Sequence, residues 1–297
     1  MIEVIDFFKS LIFYFTRYLG ILLGSYLLTA LSFRYLVQMM HDAALLKLNY
    51  RNESIPAVAG LVFVVLLPIT VGLGMLFSIK SFTLIHSILF LFVIIGMGFL
   101  GMLDDLIGNH EHKGFRGHFK ILLKEKKLTT GAFKALFGAV IAMVFSIASS
   151  QLLSGGFKIW IILTSFLLVV LSANTINLFD LRPGRAGKMF ILGFILILAF
   201  SKDFEKTVGL FIPILAILLF YLPFDLKAKV MMGDVGSNLL GATLGIMMSW
   251  MLSDLGKVIS ILILIGLQLT AEKFSFSKMI EENRWLRYLD NIGRGSQ

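Results

Sequence analysis

Long apolar runs, each closed by a short cluster of acids, amides or bases, set the pattern of this chain. Nine stretches are mainly apolar: 11–34, 56–78, 82–103, 131–150, 157–178, 187–200, 207–222, 237–252 and 256–271. A helix needs roughly 20 mainly apolar residues to cross a bilayer, and a helix that is apolar all round is buried in protein or in lipid. The predicted fold is therefore all-α, a polytopic membrane bundle of about nine transmembrane helices. These stretches and their connections fill residues 1–271, which read as one integral membrane domain, and 272–297 read as a tail.

Composition agrees with this class. The chain is 58% hydrophobic and 15% charged, with a mean hydropathy of +0.89, where soluble domains carry about 25% charged residues. There is no cysteine, which excludes disulfides and thiolate metal sites. Glu3 and Asp6 precede Lys9, and the apolar stretch behind them exceeds a signal core, so a cleavable leader is not expected.

A net charge of +9 by itself would suit a nucleic-acid partner, but its placement does not. Most of the 27 Lys and Arg residues fall in or beside 35–55, 104–130, 179–186, 223–236 and 272–297. Those segments share one side if the N-terminus is outside. The positive-inside rule then makes that side cytoplasmic, together with the C-terminus.

The candidate chemistry gathers on the same side. "GMGFLGMLDDLIG" ends the third span with Asp104 and Asp105, led by Gly96, Gly98 and Gly101. Adjacent carboxylates repel unless a cation or donors compensate, and hard divalent cations take such oxygens beside a phosphate. Solvated interface acids would give the same pattern. The fifth span closes on Asn174, Asn177 and Asp180, which fan over about 120° of one helical face. Polar groups so placed line a cavity or hydrogen-bond between helices. Arg182-Pro183-Gly184-Arg185 follows and should stop the helix. In "MMGDVGSNLLG", Gly233 and Gly236 bracket Asp234, and Ser237 is placed to cap a helix whose N-terminus would meet phosphate. A carrier would instead put charges near mid-span, and 56–78 holds none.

"GMLDDLIG", "NTINLFD" and "MMGDVGSNLLG", in this order, resemble the polyprenyl-phosphate N-acetylhexosamine-1-phosphate transferase superfamily. "NESIPAVAG" is similar to a further stretch of that family through Asn52, Ile55, Pro56 and Gly60, with Ala59 replacing a glycine, and Lys134 resembles its fourth-span lysine. The resemblance implies a phosphoglycosyl transferase of cell-envelope glycan assembly at the cytoplasmic membrane face. A sugar-1-phosphate would pass from a nucleotide-sugar, UDP-linked in the family, to polyprenyl (undecaprenyl) phosphate, releasing a nucleoside monophosphate. It implies Mg²⁺, with Mn²⁺ as a substitute, on Asp234, Asp104 and Asp105, and a catalytic set of these three with Lys134. Asn174, Asn177, Asp180, Arg182, Arg185, Gly233, Gly236 and Ser237 would bind substrate. The expected partners are donor, polyprenyl phosphate, membrane lipid and, as in some family members, a second copy, without nucleic acid.

Two departures stand out. Pro183 occupies the position of the family's second Asp after Asp180, and Arg182 and Arg185 flank it, so an altered donor is expected. The family's His-rich loop is replaced by 272–297, where Trp285, Leu286, Tyr288 and Leu289 alternate with Arg284 and Arg287, the pattern of an amphipathic tail on anionic lipid. His110, His112 and His118 read as loop residues. A relative that has lost catalysis and only binds polyprenyl-phosphate machinery is the alternative.

Overall fold

The structure, a computed structural model, describes residues 2–76, 83–108, 129–202 and 204–294. His110, His112 and His118 lie outside the described residues. The described chain is helical apart from one antiparallel pair of three-residue strands. It is a polytopic helical membrane protein.

In chain order the elements are α1 (Ile2–Asp42), β1 (Leu46–Leu48), β2 (Ser54–Pro56), α2 (Leu61–Leu76), α3 (Leu84–Ile107) and α4 (Thr130–Ser154). There follow α5 (Ile159–Phe179), α6 (Arg185–Ala199), α7 (Phe204–Leu226), α8 (Gly233–Met251) and α9 (Asp254–Lys273), and two tail helices, α10 (Phe276–Glu282) and α11 (Arg284–Asn291). Six described helices have the length and composition to cross a membrane: residues Thr16–Asp42 of α1, α3, α4, α5, Val208–Leu226 of α7, and α9. The remaining three expected spans, 56–78, 187–200 and 237–252, correspond to α2, α6 and α8, which are helices but do not meet that measure among the described residues.

Burial accounts for the difference at α8. Every residue from Val235 to Met251 is buried, so α8 is the axis of the bundle and needs little lipid-compatible surface. It packs most closely on α5 and α3. Glycine makes that possible: Gly241 and Gly245 lie one turn apart, and a Cβ on either would run into the α5 backbone at Ser172 or at Val169. This is the small-residue helix contact of membrane interiors. In contrast α1 turns Leu23, Leu27 and Leu31 outward, and α9 turns Leu262, Ile263 and Leu269 outward, as lipid-facing helices do.

The helix ends follow local chemistry. Thr129 and Ser253 start α4 and α9 by accepting the N–H groups of Ala132 and Gly256. Gly155 closes α4 in the left-handed region. At the start of α6 the left-handed residue is Gly184, φ 75°, so the Arg182-Pro183-Gly184-Arg185 turn does separate α5 from α6.

Ser237 does not cap α8. The helix begins four residues earlier, at Gly233, with Asp234 in its first turn. Gly233 adopts φ 68°, and an acid there suits the positive end of the helix dipole. Ser237 is thereby carried inside the helix.

Candidate active site

The site is built where the ends of α3 and α5 meet the starts of α4 and α8. Gly101 presses on the backbone of Asp234, where a Cβ would collide. That contact brings Asp104 and Asp105, one turn further along α3, beside the α8 N-terminus. On the other side, residues 56–60 run alongside 231–232 with paired backbone bonds: Met231 N donates to Pro56 O at 2.7 Å, Ala59 N to Met231 O at 2.9 Å and Gly60 N to Met232 O at 2.9 Å. Gly60 then sits on the backbone of Gly236 with no space for a side chain.

This explains "NESIPAVAG". Asn49 accepts the N–H groups of Arg51 and Glu53 and donates to Ala228 O at 3.1 Å, while Asn52 takes φ 61° at the turn. The hairpin is a backbone clamp on the approach to Asp234. The close approach expected of Gly233 and Gly236 toward a ligand is made here toward protein: Gly233 meets Ala57 O and Asp105, and Gly236 meets Gly60.

Lys134 stands at the centre of the acids. Its ammonium lies 3.4 Å from Asp104 Oδ2 and pairs with Asp234 Oδ2. Asn177 Nδ2 donates to the same Asp234 oxygen at 3.3 Å, and Ser237 Oγ donates to Asn177 Oδ1 at 3.0 Å. Four helices thus share one polar chain. Asp105 faces differently: it accepts from Val235 N at 3.3 Å and lies 3.6 Å from Lys47. The first N–H groups of α8 are therefore met by Asp105 rather than left open.

Asp180 closes α5, and its N–H donates to Asn177 O at 3.1 Å. Burial, and then the nearby Asp225, Asp234 and Asp105, hold its carboxyl well above the usual carboxylate range. Asn174 is exposed on α5 and is not gathered with Asn177. Arg182 and Arg185 turn to the tail: Arg182 lies 3.1 Å from Glu281, and Arg185 pairs with Asp290 at 2.8 Å and with Ser277 at 3.0 Å.

Among the described residues no group of three or more His, Cys, Asp or Glu side chains is arranged to hold a metal. The acids do fit a different mode. A single ammonium reaches both Asp104 and Asp234, so their carboxylates converge on one cationic point. Mg²⁺ is ordinarily held by one or two carboxylates, with waters and substrate phosphates completing its shell.

Two contributors escaped the sequence reading. Lys47 lies on β1, far from any span motif. Asp225 is buried near the end of α7 and accepts Gly184 N at 2.9 Å, which anchors the α5–α6 turn. A lone acid closing an apolar run, as Asp225 does, was the available signal.

Comparison with known proteins now bears on this arrangement. Residues 87–252 match the model of "Glycosyl transferase family 4", a segment that holds Asp104, Asp105, Lys134, Asn177, Asp180 and Asp234. The chain belongs to glycosyl transferase family 4. It is similar to a phospho-N-acetylmuramoyl-pentapeptide-transferase of Staphylococcus saprophyticus, 33% identical over 250 residues, covering 76% of this chain and 70% of that protein. A protein of that name from Staphylococcus epidermidis is 31% identical over 248 residues, 76% and 70% of the two chains. One from Thermotoga neapolitana is 30% identical over 204 residues, 66% and 60%. The motif resemblance to the polyprenyl-phosphate transferase superfamily therefore holds over most of the chain, as a transferase family of cell-wall assembly.

Proposed function

We propose that this family 4 member transfers a sugar-1-phosphate from a nucleotide-sugar, UDP-linked as the motif resemblance implies, to polyprenyl phosphate. The observation that carries the reading is Lys134 held between Asp104 and Asp234 at the mouth of the bundle, with Asn177 bonded to the same acid. The site faces the cytoplasm in a nine-helix topology with the N-terminus outside.

In the reaction an oxygen of the lipid phosphate attacks the sugar-bearing phosphorus of the donor. The pyrophosphate P–O bond breaks, and a nucleoside monophosphate leaves. Such transfer demands in-line positioning and neutralised oxygen charge, with little covalent work from the protein. Asp104 and Asp234 would hold Mg²⁺ or Mn²⁺. The cation would supply charge neutralisation at the phosphate oxygens. Lys134 supplies a second positive charge to those oxygens. Asn177 and Ser237 fix the Asp234 rotamer, and Asp105 ties α3 to α8 and keeps the acids in register. Asp180, on the α5 side, lines the approach of the donor.

Nucleotide release by the purified protein, with undecaprenyl phosphate, Mg²⁺ and a panel of UDP-, CDP-, GDP- and dTDP-sugars, tests this directly. Release of one monophosphate, lost in Asp234→Asn, is expected. Silence across the panel with lipid phosphate still bound would favour a non-catalytic relative. A reporter fused after Gln297 should read cytoplasmic, and an external reading would put the acids on the wrong side.

A further inference from the structure

The tail helix α11 is amphipathic, and it is docked the wrong way round for a helix in water. Trp285, Tyr288, Leu289 and Ile292 recur at the spacing of one helical face, and that face points outward: Trp285 is 77% exposed, Leu289 55% and Ile292 50%. The side turned toward the bundle carries Asp290, the one residue of α11 that is not exposed.

There Asp290 receives both Arg185, at 3.0 and 2.8 Å, and Arg294, at 2.8 and 2.9 Å. Arg294 also donates to Pro183 O at 2.8 Å, and Lys188 to the carbonyls of Leu289 and Asp290 at 3.1 and 2.6 Å. Phe276 of α10 stacks on Phe179, centroids 4.8 Å apart. The tail is thus latched to the turn between α5 and α6 through Arg185 and the carbonyl of Pro183.

A helix bordered by water would bury its apolar stripe and solvate its charges, since burying polar groups costs free energy unless they are fully paired. The reverse arrangement is stable where the outer medium is apolar. The chain is a membrane protein, the latch joins span ends, and Trp and Tyr are the residues of membrane interfaces. The exposed apolar surface of α9 also runs on through Leu269 and Phe274 toward the tail, and Arg284, at the edge of the stripe, and Arg287, on the opposite side of the helix, are both exposed, suited to anionic headgroups.

We propose that α11 lies in the lipid interface with Trp285, Leu289 and Ile292 in the acyl region, held there by the Arg185–Asp290–Arg294 latch. Arg185 is then a residue that positions the tail, and the occupant of the outward face is the bilayer. This reading does not depend on the transferase reaction.

The chain has no cysteine, so Leu289→Cys and Arg287→Cys each give one labelling site in the full-length protein. Nitroxide labels are read in vesicles of phosphatidylcholine and phosphatidylglycerol, with oxygen and a water-soluble nickel chelate as relaxants. Position 289 should favour oxygen over nickel several-fold more than position 287. Equal nickel access at both, or shielding of 289 from both relaxants by a second copy or another protein, would overturn the proposal. Adding Asp290→Ala to Leu289→Cys should loosen the label and reduce its oxygen preference. An unchanged spectrum would overturn the latch.

Discussion

Two groups of charged side chains sit at neighbouring ends of the same bundle, and they are built on opposite plans. Around Lys134 the acids outnumber the bases: Asp104 and Asp234 share one ammonium, and side chains remain 19–25% exposed. Around Asp290 the bases outnumber the acids: Arg185 and Arg294 enclose one carboxylate, with side chains only 4–11% exposed. The first group keeps unsatisfied negative charge within reach of water. The second uses its hydrogen bonds up within the protein. An ion pair is evidence of function only when something further could still bind to it, and by that measure the two ought to respond differently to mutation.

The largest expected effect is at the open group. Asp234→Asn should lower turnover by about a thousandfold, the scale of losing a directed electrostatic contact to the transferring phosphoryl. Its thermal unfolding should stay close to wild type, because the carboxylate is part-solvated. A normal rate would place the chemistry elsewhere.

Asp290→Ala reverses that profile. It leaves Arg185 buried without its carboxylate, a change that costs about 3 kcal/mol where both partners are enclosed. Trypsin should then cut the tail after Lys278 or Arg284 much faster than in wild type, while nucleotide release falls little. If turnover fell as far as in Asp234→Asn, the contrast between the two groups would fail.

Acidification sharpens the same contrast. Burial alone would raise the Asp290 carboxyl, but hydrogen bonds and charge from Arg185 and Arg294 hold it below the ordinary carboxylate value. A depressed folded-state value means that the latch contributes fully above the unfolded carboxylate range and is lost as pH falls through the native value. Nitroxide mobility at position 289 should rise across that acidic window, and with Asp290→Ala in place the rise should vanish.

The smallest effect belongs to Arg182 and Glu281, a pair in which both side chains are well exposed. A double-mutant cycle on tail release should return about 0.5 kcal/mol or less. A larger coupling would show that the latch extends to α10.

Much of the site was legible in the chain because its residues violate the apolar pattern. Asp104 and Asn177 close runs of hydrocarbon side chains and Asp234 opens one, and in a membrane protein that cost needs a compensating partner, which Lys134 proved to be. Other features were illegible because they depend on backbone contact. Nothing in "NESIPAVAG" announces that its carbonyls and N–H groups run beside 231–232. Lys47 reaches Asp105 only because the hairpin folds over. The two arginines after Asp180 read as anion binders, since a cation carries no mark of which anion it will meet.

Alternation of apolar runs with polar ends was enough, by itself, to establish a helical membrane bundle with its acids at helix ends. Hydrocarbon excludes unpaired polar groups whatever the tertiary arrangement. Which helix became the buried axis, which N–H groups Asp105 met, and whether Arg185 faced a substrate or Asp290 were decided only by packing. Each of these depends on groups distant in sequence arriving at one point, and Gly60, Gly101, Gly241 and Gly245 set how closely the backbones that carry them can approach.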